Sequence, residues 1–148
     1  MVEEAKSSKW EGKTQVEMRG LKVEQVWPLF EDFCSINKLV PVIEVCHHVE
    51  GDYGQPGLIR YCALRYPSQY TDPDDHQMKW ANEKLLAMDP IKRCFSYAVL
   101  DGNSGLKSYV ATFKLFEMNG GDAKGCVIEW SFTCEPSDGW TQMKLVAE

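Results

Sequence analysis

The chain predicts an α+β fold in which one curved antiparallel sheet carries most of the residues. Three observations carry this. After residue 42, six strand-like runs follow one another, broken by Gly, Pro, Asn and Asp. One strand and two short helices precede them. Two short stretches, Gly57 to Tyr61 and Trp80 to Leu85, each put one charge on the face predicted to point inward, Arg60 and Glu83. A sheet of this kind has an apolar concave side that must be covered.

In chain order, Trp10, Gly12, Thr14, Val16 and Met18 alternate against Glu11, Lys13, Gln15 and Glu17, the period of a half-exposed strand. From Lys22 the period becomes helical, with Val23, Val26, Trp27 and Phe30 on one side and Glu24, Gln25 and Glu31 opposite. Pro28 inside this pattern predicts a helix that starts late or bends. A second short helix is expected over Cys34 to Leu39, ended by Pro41, then a strand from Val42 to Val49 and a Gly- and Pro-rich turn at residues 51–57. Leu58, Arg60, Cys62 and Leu64 share a face of the next strand, and Lys79, Ala81, Glu83 and Leu85 share one in the run Met78 to Met88. Tyr66 to His76 reads as the longest loop between them. Strands over Arg93 to Leu100 and Ser108 to Met118 follow, the latter with Tyr109, Ala111, Phe113 and Leu115 on one face. Asn119-Gly120-Gly121-Asp122 is a hairpin signal before a last strand that aligns Cys126, Ile128, Trp130, Phe132 and Cys134. Trp140 to Glu148 reads as the start of a helix of about two turns.

A chain of 148 residues, 44% hydrophobic and 26% charged, fits a single domain over 1–148. The net charge of -6 argues against nucleic acid as a partner. No run approaches the roughly 20 apolar residues of a membrane span, and Met1 to Trp10 is polar rather than signal-like, which points to a cytoplasmic protein. Six cysteines without a Cys-x-x-Cys pair read as separate thiols. His47 and His48 fall on opposite faces of a strand, and Asp72, Asp74, Asp75 and His76 match no calcium-loop spacing, so no metal is expected. The absence of a phosphate loop, nucleophile elbow or zinc spacing leaves no cofactor to predict. Trp80, Phe113, Trp130 and Phe132 read as core or cavity wall.

Seven short matches span nearly the whole chain: Trp10-Glu11-Gly12-Lys13, Glu24-Gln25-Val26-Trp27, Val49-Glu50-Gly51, Arg60-Tyr61, Trp80-Ala81-Asn82-Glu83-Lys84-Leu85, Tyr109-Val110-Ala111-Thr112 and Glu129-Trp130-Ser131-Phe132. Together they resemble the plant lachrymatory-factor synthase-like branch of the START / Bet v 1-like superfamily. The resemblance implies a helix-grip fold, with seven strands wrapped around an apolar cavity and a long C-terminal helix. It implies Arg60, Glu83 and Tyr109 as catalytic candidates and a wall built from Leu58, Lys79, Ala81, Leu85, Tyr97, Phe113, Trp130 and Phe132. The pattern is departed from at Lys79, where the branch has phenylalanine, in the longer loop from Tyr66 to His76, and in a C-terminal helix cut short. That shortness would leave the concave face around Tyr97, Tyr109, Phe113, Trp130 and Phe132 uncovered, from which marginal stability, self-association or an alternative transcript product is expected.

Two functions follow as expectations. One is binding of a small apolar plant metabolite or lipid, with Arg60 anchoring an acidic head. The alternative is an isomerase or cyclase of the synthase type, in which Glu83 shuttles a proton, Arg60 steadies developing negative charge and Tyr109 donates a hydrogen bond. From the residues alone, Arg60 and Glu83 equally fit a salt bridge that serves only to satisfy itself. The related hormone receptors are disfavoured: Ser104-Gly105-Leu106 is followed by Lys107 rather than by the Pro-Ala that completes a Ser-Gly-Leu-Pro-Ala gate, and no His-Arg-Leu latch occurs.

Overall fold

The computed structural model describes residues 9–38, 43–67, 76–103, 105–118 and 125–136. Seven strands form one antiparallel sheet: β1 (Trp10–Arg19), β2 (Ile43–Glu50), β3 (Ile59–Pro67), β4 (His76–Asp89), β5 (Cys94–Gly102), β6 (Lys107–Glu117) and β7 (Gly125–Glu135). Their spatial order is β1-β7-β6-β5-β4-β3-β2, so β2 to β7 meander and β1 closes against the last strand. Helix α1 (Val23–Glu31) and a 3-10 helix (Phe33–Lys38) link the two edge strands. The predicted order of elements is the observed one.

The helices sit on the inner face, with α1 against β6 and β7 and the 3-10 helix against β2 and β3. Helix α1 begins at Val23, where the backbone N–H of Lys22 is received by the Gln25 side chain at 2.8 Å. Pro28 therefore lies within the helix, and the expectation of a late start is overturned. The missing donor at Pro28 costs about 3 kcal/mol, but Val23, Val26, Trp27 and Phe30 are all buried, at about 1.5–3 kcal/mol each for the aliphatic and Phe side chains. Burial outweighs the proline.

The β3–β4 ladder also runs further than the sequence implied, pairing Tyr66 with Gln77 and Pro67 with His76, because strand pairing propagates into residues read as loop. The rest of that loop with its aspartates, the Asn119–Asp122 turn and the Trp140–Glu148 helix lie outside the described residues. At the β2–β3 turn, Gly51 has φ +92°, and an added Cβ would sit 2.8 Å from the Leu58 Cα. Gly51→Ala is expected to lower stability by more than about 1 kcal/mol, measured by urea unfolding.

Leu100 and Leu86 are skipped in the β4–β5 ladder, since Asn82 pairs with Asp101 but Glu83 with Val99, and Leu85 with Tyr97 but Ala87 with Ser96. These two bulges bend the centre of the sheet, and their extra residues are exposed. The bend turns Glu83, Leu85 and Tyr97 toward the same side.

Candidate functional site

Opposed residues on neighbouring strands share a face, and Arg60 lies directly opposite Glu83 in the β3–β4 ladder. The Arg60 Nε donates to Glu83 Oε1 at 2.8 Å, and its Nη1 donates to the Phe33 carbonyl at 2.8 Å. The guanidinium carbon stands 3.8 Å from the Phe33 ring centre and 4.9 Å from that of Tyr97. Burial works against the Arg60 charge, but the Glu83 carboxylate more than compensates, and the guanidinium is held in its charged form. The pair is unequal in access: the Arg60 side chain is 4% exposed and that of Glu83 14%. A molecule on the inner face meets the carboxylate before the cation.

Around this pair the wall is aromatic. Phe33 packs edge-on against Phe95, Phe95 stacks on Phe113, Phe113 meets Trp130, Trp130 meets Phe132, and Phe132 stacks on Tyr109. Leu58 and Leu85 are fully buried beside Arg60; the Leu85 N–H donates to the Leu58 carbonyl at 2.7 Å and the Leu85 carbonyl accepts from the Gly57 N–H at 2.8 Å. Burial drives the Tyr97 hydroxyl well above the usual phenol range, with the Glu83 carboxylate adding to it. Tyr109 is raised too, by burial first and then by Tyr97 and Glu83. Both phenols therefore act as donors and not as bases.

The structure brings together Leu58, Arg60, Glu83, Leu85 and Tyr97, with Tyr109, Phe113, Trp130 and Phe132 continuing the same face. Lys79 and Ala81 lie farther along β4 on that face, half-buried and opposite Leu64 and Cys62. The expected exposure of the concave face is not observed. Tyr97, Tyr109 and Phe132 are 7%, 7% and 3% exposed and Phe113 and Trp130 are half-buried; the rings pack on one another, and α1 contacts β6 and β7.

Trp80 is not part of the wall: paired with Ala63, it stacks on Tyr61 across the outer face at 6.0 Å. His47 stacks on that same Tyr61, whereas His48 stacks on Tyr53, so the two imidazoles do point apart. Two open depressions of about 500 and 390 Å³ lie on the outer face, one lined by Lys13, Thr112 and Ser131 and the other by Ala87, Ser96 and Thr112. Neither is lined by Arg60 or Glu83.

Sequence reasoning missed three features. Phe33 clamps Arg60 with both its ring and its carbonyl, and an aromatic residue at the start of the second helix was the available signal. The Trp27 indole N–H is buried without a hydrogen-bond partner among the described residues. Cys46 and Cys62 are free, as expected, but not separate: their sulfurs are 3.2 Å apart.

Among the described residues no helix is long and apolar enough to cross a membrane. The fold is shared with ginseng major latex-like protein 151 from Panax ginseng, at a TM-score of 0.69 and 17% identity over 93% of this chain and 89% of that one. It is shared equally with XoxI from Bacillus cereus, at a TM-score of 0.67 and 20% identity over 93% and 82%. In sequence, MLP-like protein 34 of Arabidopsis thaliana is 30% identical over 95 residues, 63% of this chain but only 27% of that protein's length. The family described as "Polyketide cyclase / dehydrase and lipid transport" matches residues 9–148, and the seven-stranded sheet with its helices on one face is the Bet v 1-like architecture. This chain belongs to the polyketide cyclase / dehydrase and lipid transport family.

Proposed function

We propose that the chain binds a small, largely apolar molecule against the aromatic inner face of its sheet, with a polar group of the ligand directed at Glu83. The observation that carries this is the Arg60–Glu83 pair at 2.8 Å within an aromatic face, its carboxylate the more accessible member. An ion pair taken out of water gains little stability over apolar residues of the same size, so its retention calls for another use. The family's lipid-transport description supports an apolar ligand. Arg60 already holds Glu83 and the Phe33 carbonyl and is sandwiched near two rings, so it acts as the support of Glu83 rather than as the free anchor for an acidic head. A ligand carrying a hydrogen-bond donor suits that carboxylate.

A panel of long-chain fatty acids, terpenoids and flavonoids tests this by thermal unfolding. A ligand that binds the folded chain adds about 2.7 kcal/mol at a hundredfold excess over Kd, and the melting temperature then rises with concentration. No shift with any member, together with no bound compound in native mass spectrometry of protein from its natural source, would rule the reading out.

The synthase-like isomerase is a second reading, favoured by one feature: Glu83 is held by a buried cation on a face where Tyr97 and Tyr109 stay protonated donors. Rearranging a small unsaturated sulfenic acid into a thial S-oxide relocates one proton along a conjugated system. Glu83 would move that proton, with Arg60 holding the carboxylate in place and a tyrosine hydroxyl facing the oxygen. Under this reading Glu83→Gln, assayed below its melting temperature, lowers kcat about 100-fold or more. Turnover that survives the change assigns the chain to ligand binding alone.

A further inference from the structure

The two thiols that touch across β2 and β3 lie on the inner face beside the ion pair, and neither hydrogen-bonds to Arg60 or Glu83. Cys46 stands directly opposite Cys62 in the antiparallel ladder, with their sulfurs 3.2 Å apart. Opposed residues in such a ladder have Cα atoms about 4.5–5.5 Å apart, inside the span of about 4.4–6.8 Å that a disulfide bridges. Closing the sulfurs to a bond length of about 2.05 Å needs a movement of only about 1 Å. Access is divided between them. Cys46 is half-buried on β2, which forms one edge of the sheet, whereas Cys62 is 7% exposed.

We propose that Cys46 and Cys62 form an oxidant-responsive dithiol, a modification site that a peroxide converts into a cross-strand disulfide beside the Arg60–Glu83 pair. Cys46 is the nucleophile. The Cys62 S–H hydrogen-bonds to it and brings its thiol down to about 7, against the opposing effects of burial and of Glu83, with Arg60 and the Ile36 backbone assisting. Cys62 is held upward by that same hydrogen bond and by burial and stays a thiol. Nearby Cys34, raised to about 11 chiefly by burial, stays a thiol as well.

In the first step the Cys46 thiolate attacks one peroxide oxygen, an S–O bond forms, the O–O bond breaks, and the departing hydroxide leaves as water after protonation. Cys46 is then a sulfenic acid. In the second step the Cys62 sulfur attacks the Cys46 sulfur, the S–S bond forms as the S–O bond breaks, and the Cys62 proton departs with that oxygen as water. Both thiols together lose two electrons, and the peroxide takes them. The product ties the edge strand to its neighbour next to Phe33, whose carbonyl lies 4.0 Å from the Cys46 sulfur and 2.8 Å from Arg60 Nη1.

The experiment treats the reduced full chain with a small excess of hydrogen peroxide and digests it with trypsin under non-reducing conditions. Cleavage after Lys38, Arg60 and Arg65 releases the two cysteines on separate peptides, 39–60 and 61–65. The expected product is these two joined within one chain, separated again by a reducing agent. Cys62→Ser should instead leave a sulfenic acid on Cys46 that dimedone traps, and Cys94→Ser should leave the cross-link intact. Iodoacetamide at neutral pH should modify Cys46 about tenfold faster than the equally half-buried Cys94. A Cys34–Cys46 link, a disulfide between two chains, or oxidation of other thiols while Cys46 and Cys62 stay reduced overturns the proposal. These outcomes concern wild-type protein first, so a poorly folding variant does not obscure them.

Discussion

Glu83→Leu is expected to cost about 3–5 kcal/mol of folding stability, and Arg60→Met only about 1–3 kcal/mol. The asymmetry comes from what each change strands. Without Glu83, the Arg60 guanidinium remains 3% exposed as a residue, fixed between two rings with no counter-charge. Without Arg60, the Glu83 carboxylate reaches water through its 14% exposed side chain, and the main loss is the donor to the Phe33 carbonyl. Methionine would keep contact with the Phe33 and Tyr97 rings. The double change Arg60→Met with Glu83→Leu should return to within about 1 kcal/mol of the starting protein or exceed it, because an apolar pair of similar volume replaces a desolvated ionic one. Chemical unfolding of the three variants reads this directly. If Arg60→Met proves the costlier single change, the guanidinium is not the stranded group and the account of the site is wrong.

The second large effect lies one layer away. Phe95 is 1% exposed and its ring sits 5.4 Å from Phe113, 5.9 Å from Phe33, 6.3 Å from Tyr97 and 6.4 Å from Trp27. Phe95→Ala removes the ring that joins α1, the 3-10 helix and the sheet, at about 3–5 kcal/mol. At about 2–4 °C per kcal/mol for a chain of this size, the melting temperature should fall by roughly 6–20 °C. Phe116→Ala is the control, since Phe116 is 44% exposed, and its effect should stay within about 0.5 kcal/mol. Equal losses at the two positions would mean that the aromatic cluster is not the core.

The pairing of Arg60 with Glu83 was legible because both charges sit in alternating runs, and alternation fixes the face even when the register is unknown. The order of elements followed from the same signal. What alternation does not encode is register, and each misreading has its own cause. Trp80 alternates away from Ala81 and Glu83 and so belongs to the outer face, although its size suggested the wall. Cys46 and Cys62 read as separate thiols because the Gly-rich turn between their strands and the irregularity at His48 and Glu50 hide which residues oppose. The role of Phe33 depends on its carbonyl, and a backbone group leaves no trace in residue identity. Pro28 illustrates a different limit: a local rule about helices yields to the burial of four side chains that only the assembled sheet provides.

The first strand is hydrogen-bonded to the last, Trp10 facing Cys134 and Arg19 facing Gly125. During synthesis the amino-terminal ribbon therefore has no mate until almost the whole described chain has left the ribosome, and α1 has no β6 or β7 to rest on until then. Such long-range closure makes for slow maturation and a lengthy interval in which an unpaired ribbon is open to chaperones or to association with other nascent copies.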